Sequence, residues 1–144
     1  MATLRAQKIT ESGLSSSMVA CTAAGDEFTN TGMEFIRIQN HHTSNAYTVR
    51  VNVVKTSIKH PTYGNLTKSD IYKSVSSPGG SAGDGANDII IGPFKQGAYN
   101  NSNNKITLNY KVGSHTNATD FEAASNIATD GSQKLNLEIL YLET

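Results

Sequence analysis

Hydrophobic and polar residues alternate with a period of two in several stretches of this chain, which is the pattern of strands with one buried face. The longest regular runs are Lys105–Val112 and Leu135–Leu142. Shorter strands are expected at residues 18–23, 70–75 and 88–94, the last being an apolar run ended by Gly92-Pro93. Helical periodicity is scarce, and only residues 120–127 are expected to form one or two helical turns. The pattern therefore predicts about seven or eight short strands joined by turn-rich segments.

The stretch from Asp26 to Asn40 combines a turn with a strand. Asn30-Thr31-Gly32 has turn chemistry, because Asn tolerates a left-handed backbone and Gly adopts one freely, so we expect a positive φ at Gly32. Residues 33–39 then nearly alternate, with Phe35 on the same side as the polar residues. A second alternating run covers residues 46–55. The two runs are predicted to form an antiparallel pair at the centre of a sheet.

The inward positions of these runs define the predicted core. Side chains on the apolar side of each strand are expected to be buried between two sheets. They are Ile36, Ile38, Val49, Val51, Ile106, Leu108, Leu137 and Ile139.

Short strands with turn-rich connections are typical of a β-sandwich with Greek-key or jelly-roll topology and long loops. The chain has 144 residues and no internal repeat, so we predict one all-β domain over residues 1–144. Residues 57–87 are less regular and contain a glycine-rich loop, so they are interpreted as a loop-rich insertion. Residues 1–10 are predicted to form either a strand or an extended arm, because Leu4 and Ile9 are few apolar groups to hold a free terminus.

Charge and cysteine content limit the function classes. Lys plus Arg and Asp plus Glu number 12 each, so the chain lacks the basic excess expected of a protein that binds duplex nucleic acid directly. Cys21 is the only cysteine, which excludes an intrachain disulfide, and its small neighbours favour a buried thiol. No apolar run approaches the ~20 residues of a membrane helix, and the N-terminus lacks the apolar segment of a signal peptide. We expect no membrane partner.

Residues with metal or catalytic chemistry are scattered. The four histidines are His41, His42, His60 and His115. They are interpreted as solvated loop residues, because neighbours such as His41 and His42 point apart in an extended chain. Asp84–Asp88 resembles part of a calcium loop, but Lys95 stands where that loop requires a glutamate. With no nucleophile elbow, P-loop or paired acid/base carboxylates, we predict no catalytic residue, no metal and no cofactor.

Two segments resemble those of small structural proteins of tailed bacteriophages. The first consists of Gly25-Asp26, Phe28, Asn30, Gly32, Phe35-Ile36, Ile38 and Asn40, followed by the alternating strand Thr48–Val53. The second consists of Ile91-Gly92-Pro93-Phe94, Tyr99-Asn100 and the alternating strand Ile106–Val112. The resemblance covers residues 2–56 and 88–142.

Proteins of this kind are virion components, commonly capsid decoration (cement) proteins, without known catalytic residues. The resemblance implies a non-enzymatic protein on the capsid surface that binds the major capsid protein and stabilises contacts between its subunits. It implies synthesis in the cytoplasm of a host bacterium and self-association, with a trimer favoured. Two alternatives remain open: a tail, neck or fibre-associated protein, and a carbohydrate-binding β-sandwich with exposed aromatic residues in a concave patch, although the chain has no Trp.

The N-terminal segment and the glycine-rich loop are the predicted contact surfaces. Both carry few apolar groups, so holding them in place has an entropic cost that contacts from outside the monomer would have to offset. We therefore expect both segments to be mobile in the free subunit. The predicted interface residues are Leu4, Arg5, Gln7, Ile9, Gly79, Gly80 and Asp84.

Overall fold

A computed structural model of the chain describes residues 1–78, 85–121 and 135–143. In chain order the strands are β1 Ala2–Leu4, β2 Ala6–Ile9, β3 Val19–Ala20, β4 Asp26–Thr29, β5 Phe35–Asn40, β6 Tyr47–Val51, β7 Ser57–His60, β8 Gly64–Thr67, β9 Ile71–Val75, β10 Asp88–Ile91, β11 Lys105–Val112 and β12 Leu135–Leu142. The helical elements are α1, a single turn at Gln96–Tyr99, and a 3-10 turn at Ala118–Phe121. Within these ranges no helix has the length and apolar character needed to cross a membrane.

Two sheets form the body of the fold and confirm the predicted all-β, sandwich-like class. The first has the strand order β1-β4-β11-β6-β9, and the second has the order β10-β5-β12-β2, with β3 also paired to β12. Along the strands of these two sheets, the chain changes sheets at every step except from β2 to β3 and from β6 to β9. Strands β7 and β8 form a separate antiparallel hairpin.

The predicted pairing of β5 with β6 is wrong. β5 pairs with β10 and β12, whereas β6 pairs with β9 and β11. The polar turn at residues 41–46 thus carries the chain from one sheet to the other. Alternation shows which face of a strand is buried, but it is the same for two strands that pair and for two that face each other across a core. Both strands still bury the predicted side chains in one hydrophobic cluster.

The predicted core is confirmed, since all eight residues expected between the sheets are buried. Aromatic residues complete it, with the rings of Phe28 and Phe94 6.2 Å apart. Cys21 is fully buried as expected; burial raises the pKa of its thiol, and the nearby charge of Asp26 raises it further. Gly32 has the predicted positive φ, at 94°.

Several elements differ in extent from the prediction. The strand expected at residues 18–23 is limited to β3, because the chain turns where Gly25 N donates to Thr22 O at 3.0 Å. By contrast, the apolar strand expected from residue 88 ends at Ile91, directly before the Gly-Pro pair that was predicted to end it, since Gly92 has a φ of 124° and Pro93 has no N–H to donate.

Residues 57–87 contain more regular structure than a loop-rich insertion. Their described part includes the β7–β8 hairpin and β9, and β9 is the edge strand of the first sheet. The helical turns expected at residues 120–127 correspond in part to the 3-10 turn, and the remainder lies outside the described residues.

Candidate functional site

The N-terminal residues form the edge of both sheets. β1 pairs in parallel with β4, and β2 pairs in parallel with β12, so residues 2–9 run along one side of the sandwich and cross between the sheets at Arg5. The expectation of an arm that its own core does not hold is therefore wrong. Backbone hydrogen bonds hold this segment, and a prediction based only on the number of apolar side chains cannot take such bonds into account.

A cavity opens where β2 and β3 share the same side of β12. β3 pairs with Asn136 and Leu137, while β2 pairs with residues 139–142, which leaves Glu138 between them. The cavity has a volume of about 510 Å³. Its apolar lining is supplied by Leu4, Val19, Leu137 and Ile139, and its polar lining includes Arg5, Gln7, Ser17 and Glu138. We call it the edge cavity.

Glu138 is the buried polar centre beside this cavity, with a side chain only 1% exposed. Both of its carboxylate oxygens accept from Ser16 Oγ at 2.9 Å, and Oε2 accepts from Ser17 N at 3.2 Å. Gln7 Nε2 donates to Oε2 at 3.4 Å, and Arg37 Nη1 lies 3.3 Å from Oε1. Because a buried carboxylate is costly without partners, these bonds anchor the segment after β2 to the outer face of the second sheet.

A second ion pair extends this polar group across the sheet. Arg37 Nε donates to Asp88 Oδ1 at 3.0 Å, and Arg37 Nη2 lies 2.7 Å from Asp88 Oδ2. Gln39 Nε2 donates to the same Oδ2 at 2.7 Å. The hydrogen bonds from Arg37 are the main reason why the pKa of Asp88 lies below its usual range. The arrangement links β5, β10 and β12 and is structural.

The structure places the predicted interface residues in three situations. Leu4, Arg5 and Gln7 line the edge cavity together, whereas Ile9 lies at the other end of β2, where its carbonyl accepts from Glu143 N at 2.9 Å. Arg5 is exposed and Leu4 packs against the core. The remaining predictions, Gly79, Gly80 and Asp84, lie outside the described residues.

Residues that sequence reasoning did not select complete the cavity. Val19 is 46% exposed although it is a large apolar residue, and Glu138 is buried although it is on the outward side of its strand. The exposure of Val19 and the burial of Glu138 both result from the path of residues 14–18 over the second sheet. No local signal in the sequence marks this path, because it depends on a pairing between β3 and a strand more than a hundred residues later.

The candidate metal ligands have other roles. Asp88 of the calcium-like stretch is held by Arg37, and Asp84 lies outside the described residues. His60 Nδ1 accepts from Thr62 N at 3.1 Å, and His115 Nδ1 lies 3.2 Å from Asp120 Oδ2. In residues 1–78, 85–121 and 135–143, no three His, Cys, Asp or Glu side chains are grouped to hold a metal ion.

Residues of the two segments 25–40 and 91–100 meet inside the fold. Asn30 Nδ2 donates to Asn100 Oδ1 at 2.7 Å and to Phe94 O at 3.2 Å. Gly92 lies so close to β5 that a Cβ there would come within 3.0 Å of Phe35 Cα. Through these contacts the two distant segments pack against each other.

Comparisons of the chain with known protein families, with curated proteins and with solved structures find no match.

Proposed function

We propose that the protein is a non-enzymatic structural component of a tailed-bacteriophage particle, which binds the outside of the capsid and stabilises contacts between major capsid subunits. Two lines support the proposal. One is the resemblance of residues 2–56 and 88–142 to small phage structural proteins. The other, which carries most weight, is the N-terminal stretch, residues 2–20. This stretch contributes β1, β2 and β3 at the edges of the two sheets, yet most of its side chains are exposed.

Exposed apolar residues in this stretch suit a contact surface. Leu14 is 39% exposed and Val19 is 46% exposed, and Val19 borders the edge cavity. Covering apolar surface is favourable by roughly 25 cal/mol per Å², and exposed apolar groups beside a cavity are typical of binding surfaces. A capsid subunit that covered this side of the sandwich would bury groups that the monomer leaves in water.

The proposed mechanism is reinforcement by repeated contacts. Each copy would bridge neighbouring capsid subunits. Copies associated with one another, as a trimer or another ring, would bind the capsid with a higher apparent affinity than single chains, because binding of the first copy raises the effective concentration of the others. A net charge of zero limits long-range repulsion between copies crowded on one surface. The protein would be made in the host bacterial cytoplasm and act on the capsid surface.

A carbohydrate-binding role has one observation in its favour. Tyr63 is 75% exposed at the tip of the β7–β8 hairpin and stacks on His60 with ring centroids 4.8 Å apart. The aromatic pair stands on a protruding hairpin, whereas sugar sites usually place such rings in a concave patch. Specific binding of the protein to a glycan array, abolished by Tyr63→Ala, would favour this alternative over capsid decoration.

The copy number of the chain in purified particles tests the proposal. Quantitative mass spectrometry, with the major capsid protein as the internal reference, should find the chain in numbers comparable with the capsid subunits. A few copies per particle would instead indicate a neck, tail or fibre protein. Particles assembled without the chain should burst at a lower temperature than complete particles, and equal heat resistance would contradict the stabilising role.

A further inference from the structure

One carboxylate and one arginine are left without partners in the described part of the chain. Every other described Asp or Glu accepts a hydrogen bond or forms an ion pair, whereas Glu11 does neither. Arg37 and Arg50 are each paired with an aspartate, whereas Arg5 is exposed and has no described acidic partner. Both unpaired groups belong to the same N-terminal stretch, one on each side of β2.

Arg5 and Glu11 are too far apart to pair within one copy. β2 is extended between them, and at about 3.3 Å per residue Ile9 lies about 13 Å beyond Arg5 before the turn begins. Arg5 lines the edge cavity at one end of the strand, and Glu11 stands in the turn that follows the other end. The displacement prevents an internal ion pair and leaves both groups available to a neighbouring molecule.

The turn that carries Glu11 is exposed and is held by internal hydrogen bonds. Gly13 N donates to Thr10 O at 2.9 Å, and Thr10 Oγ1 lies 2.9 Å from Ser12 Oγ. Leu14, directly after the turn, is 39% exposed. We call residues 10–14 the N-terminal turn. A turn already held in shape loses little conformational entropy when it docks, which favours binding.

The N-terminal turn and the edge cavity have complementary chemistry. The turn offers an unpaired carboxylate three residues from an exposed leucine. The cavity offers the unpaired Arg5 beside apolar walls that include Leu4 and Leu137. Among the described residues, Glu11 is the one unpaired carboxylate, and the exposed Leu14 follows it three residues later.

We propose that copies of this chain associate head to tail, with the N-terminal turn of one copy seated at the edge cavity of the next. Glu11 then pairs with Arg5 of the neighbouring copy, and Leu14 packs on the apolar lining. Because the two surfaces differ, the contact is heterologous and generates a ring where the rotation between copies closes. The inference rests on the proposed role of the N-terminal stretch as a contact surface, but it requires no capsid.

Charge reversal and its rescue test this contact. Sedimentation equilibrium of the purified full chain over a wide concentration range should show self-association. Arg5→Glu and Glu11→Arg should each weaken the association constant by about tenfold or more, because each creates a like-charge contact. The double variant with both changes restores an opposite pair and should associate nearly as well as the natural chain. Leu14→Ser should also weaken association.

The matched control is Lys59→Glu, which makes the same charge reversal at an exposed site on the β7–β8 hairpin and should leave association unchanged. Circular dichroism melts verify folding, and Arg5→Gln and Glu11→Gln replace any reversal variant that fails to fold. A natural chain that is monomeric at all concentrations overturns the proposal. The proposal is also overturned if neither single variant weakens association, or if the double variant does not regain the association of the natural chain. The assay contains no particles, so capsid binding stands or falls separately.

Discussion

Asn30 and Asn100 join the two distant segments of the chain through a hydrogen bond of 2.7 Å from Nδ2 to Oδ1. Asn100 Nδ2 in turn donates to Asn30 O at 2.9 Å, so the pair is reciprocal. Asn30 Oδ1 also accepts from Gly32 N at 3.1 Å, which fixes the turn before β5. Asn30 is 1% exposed, so water cannot replace these partners.

Asn30→Ala should therefore lower the free energy of unfolding by about 2–3 kcal/mol, because it leaves several buried polar groups without partners. Urea denaturation followed by circular dichroism measures the change. Asn103→Ala is the matched control, since Asn103 is exposed in the turn before β11, and its effect should stay within about 0.5 kcal/mol. Equal stability of both variants would show that the Asn30–Asn100 pair does not hold the segments together.

Truncation to alanine should distinguish buried from exposed aliphatic residues. Ile38→Ala and Leu108→Ala remove fully buried side chains from opposite sheets and should each cost about 2–5 kcal/mol. Ile90→Ala is the control, because Ile90 is 63% exposed on the edge strand β10. Thermal melts of the three variants provide the comparison, and a similar loss in all three would contradict the assignment of strand faces.

The Arg37–Asp88 pair should contribute to stability in a pH-dependent way. Because the folded state lowers the pKa of Asp88, its contribution is present above the unfolded pKa of about 4 and is lost as the pH falls through the lower folded value. Asp88→Asn should cost about 1 kcal/mol at pH 7, given a bidentate pair that is partly exposed. The difference from the natural chain should shrink below pH 4. A difference that is constant between pH 7 and pH 3 would contradict this account.

Deletion of residues 1–8 should destabilise the monomer, because it removes β1 and most of β2. The exposed edges of β4 and β12 would lose backbone partners, and the core would lose Leu4. We expect a loss of about 3 kcal/mol or more in urea denaturation. Removal of Met1 alone, which precedes β1, is the control and should have little effect. An unchanged unfolding midpoint for the deletion would restore the interpretation of this segment as a free arm.

Alternation predicted the strands and their buried faces well, because burial of one face of a strand is a local property of the sequence. Ile36 and Val49 are buried as expected although their strands pair with other partners. Pairing was not predictable in this way, since it depends on contacts such as that of β3 with β12.

The candidate site was predictable only in part. Arg5 and Gln7 were expected at an interface and line the edge cavity, but the cavity also needs Val19 and Glu138, which are brought there by long-range pairing. The expectation that the N-terminal segment is weakly attached to its own core was wrong, because β1 and β2 pair with β4 and β12. Its exposed side chains and the unpaired Arg5 are what suit it to be a contact surface.

The central claim is that the protein binds a phage capsid through its N-terminal stretch. Co-sedimentation with particles assembled without the chain tests this claim most directly, with the natural protein, the double variant Arg5→Glu/Glu11→Arg and Lys59→Glu compared at equal concentrations. The double variant keeps opposite charges in the proposed contact between copies, so a loss of binding reports on the contact with the capsid. The account predicts saturable binding of the natural protein and of Lys59→Glu, and binding of the double variant weakened by about tenfold or more. Absence of the natural protein from the particle pellet, or equal binding of all three proteins, would contradict it.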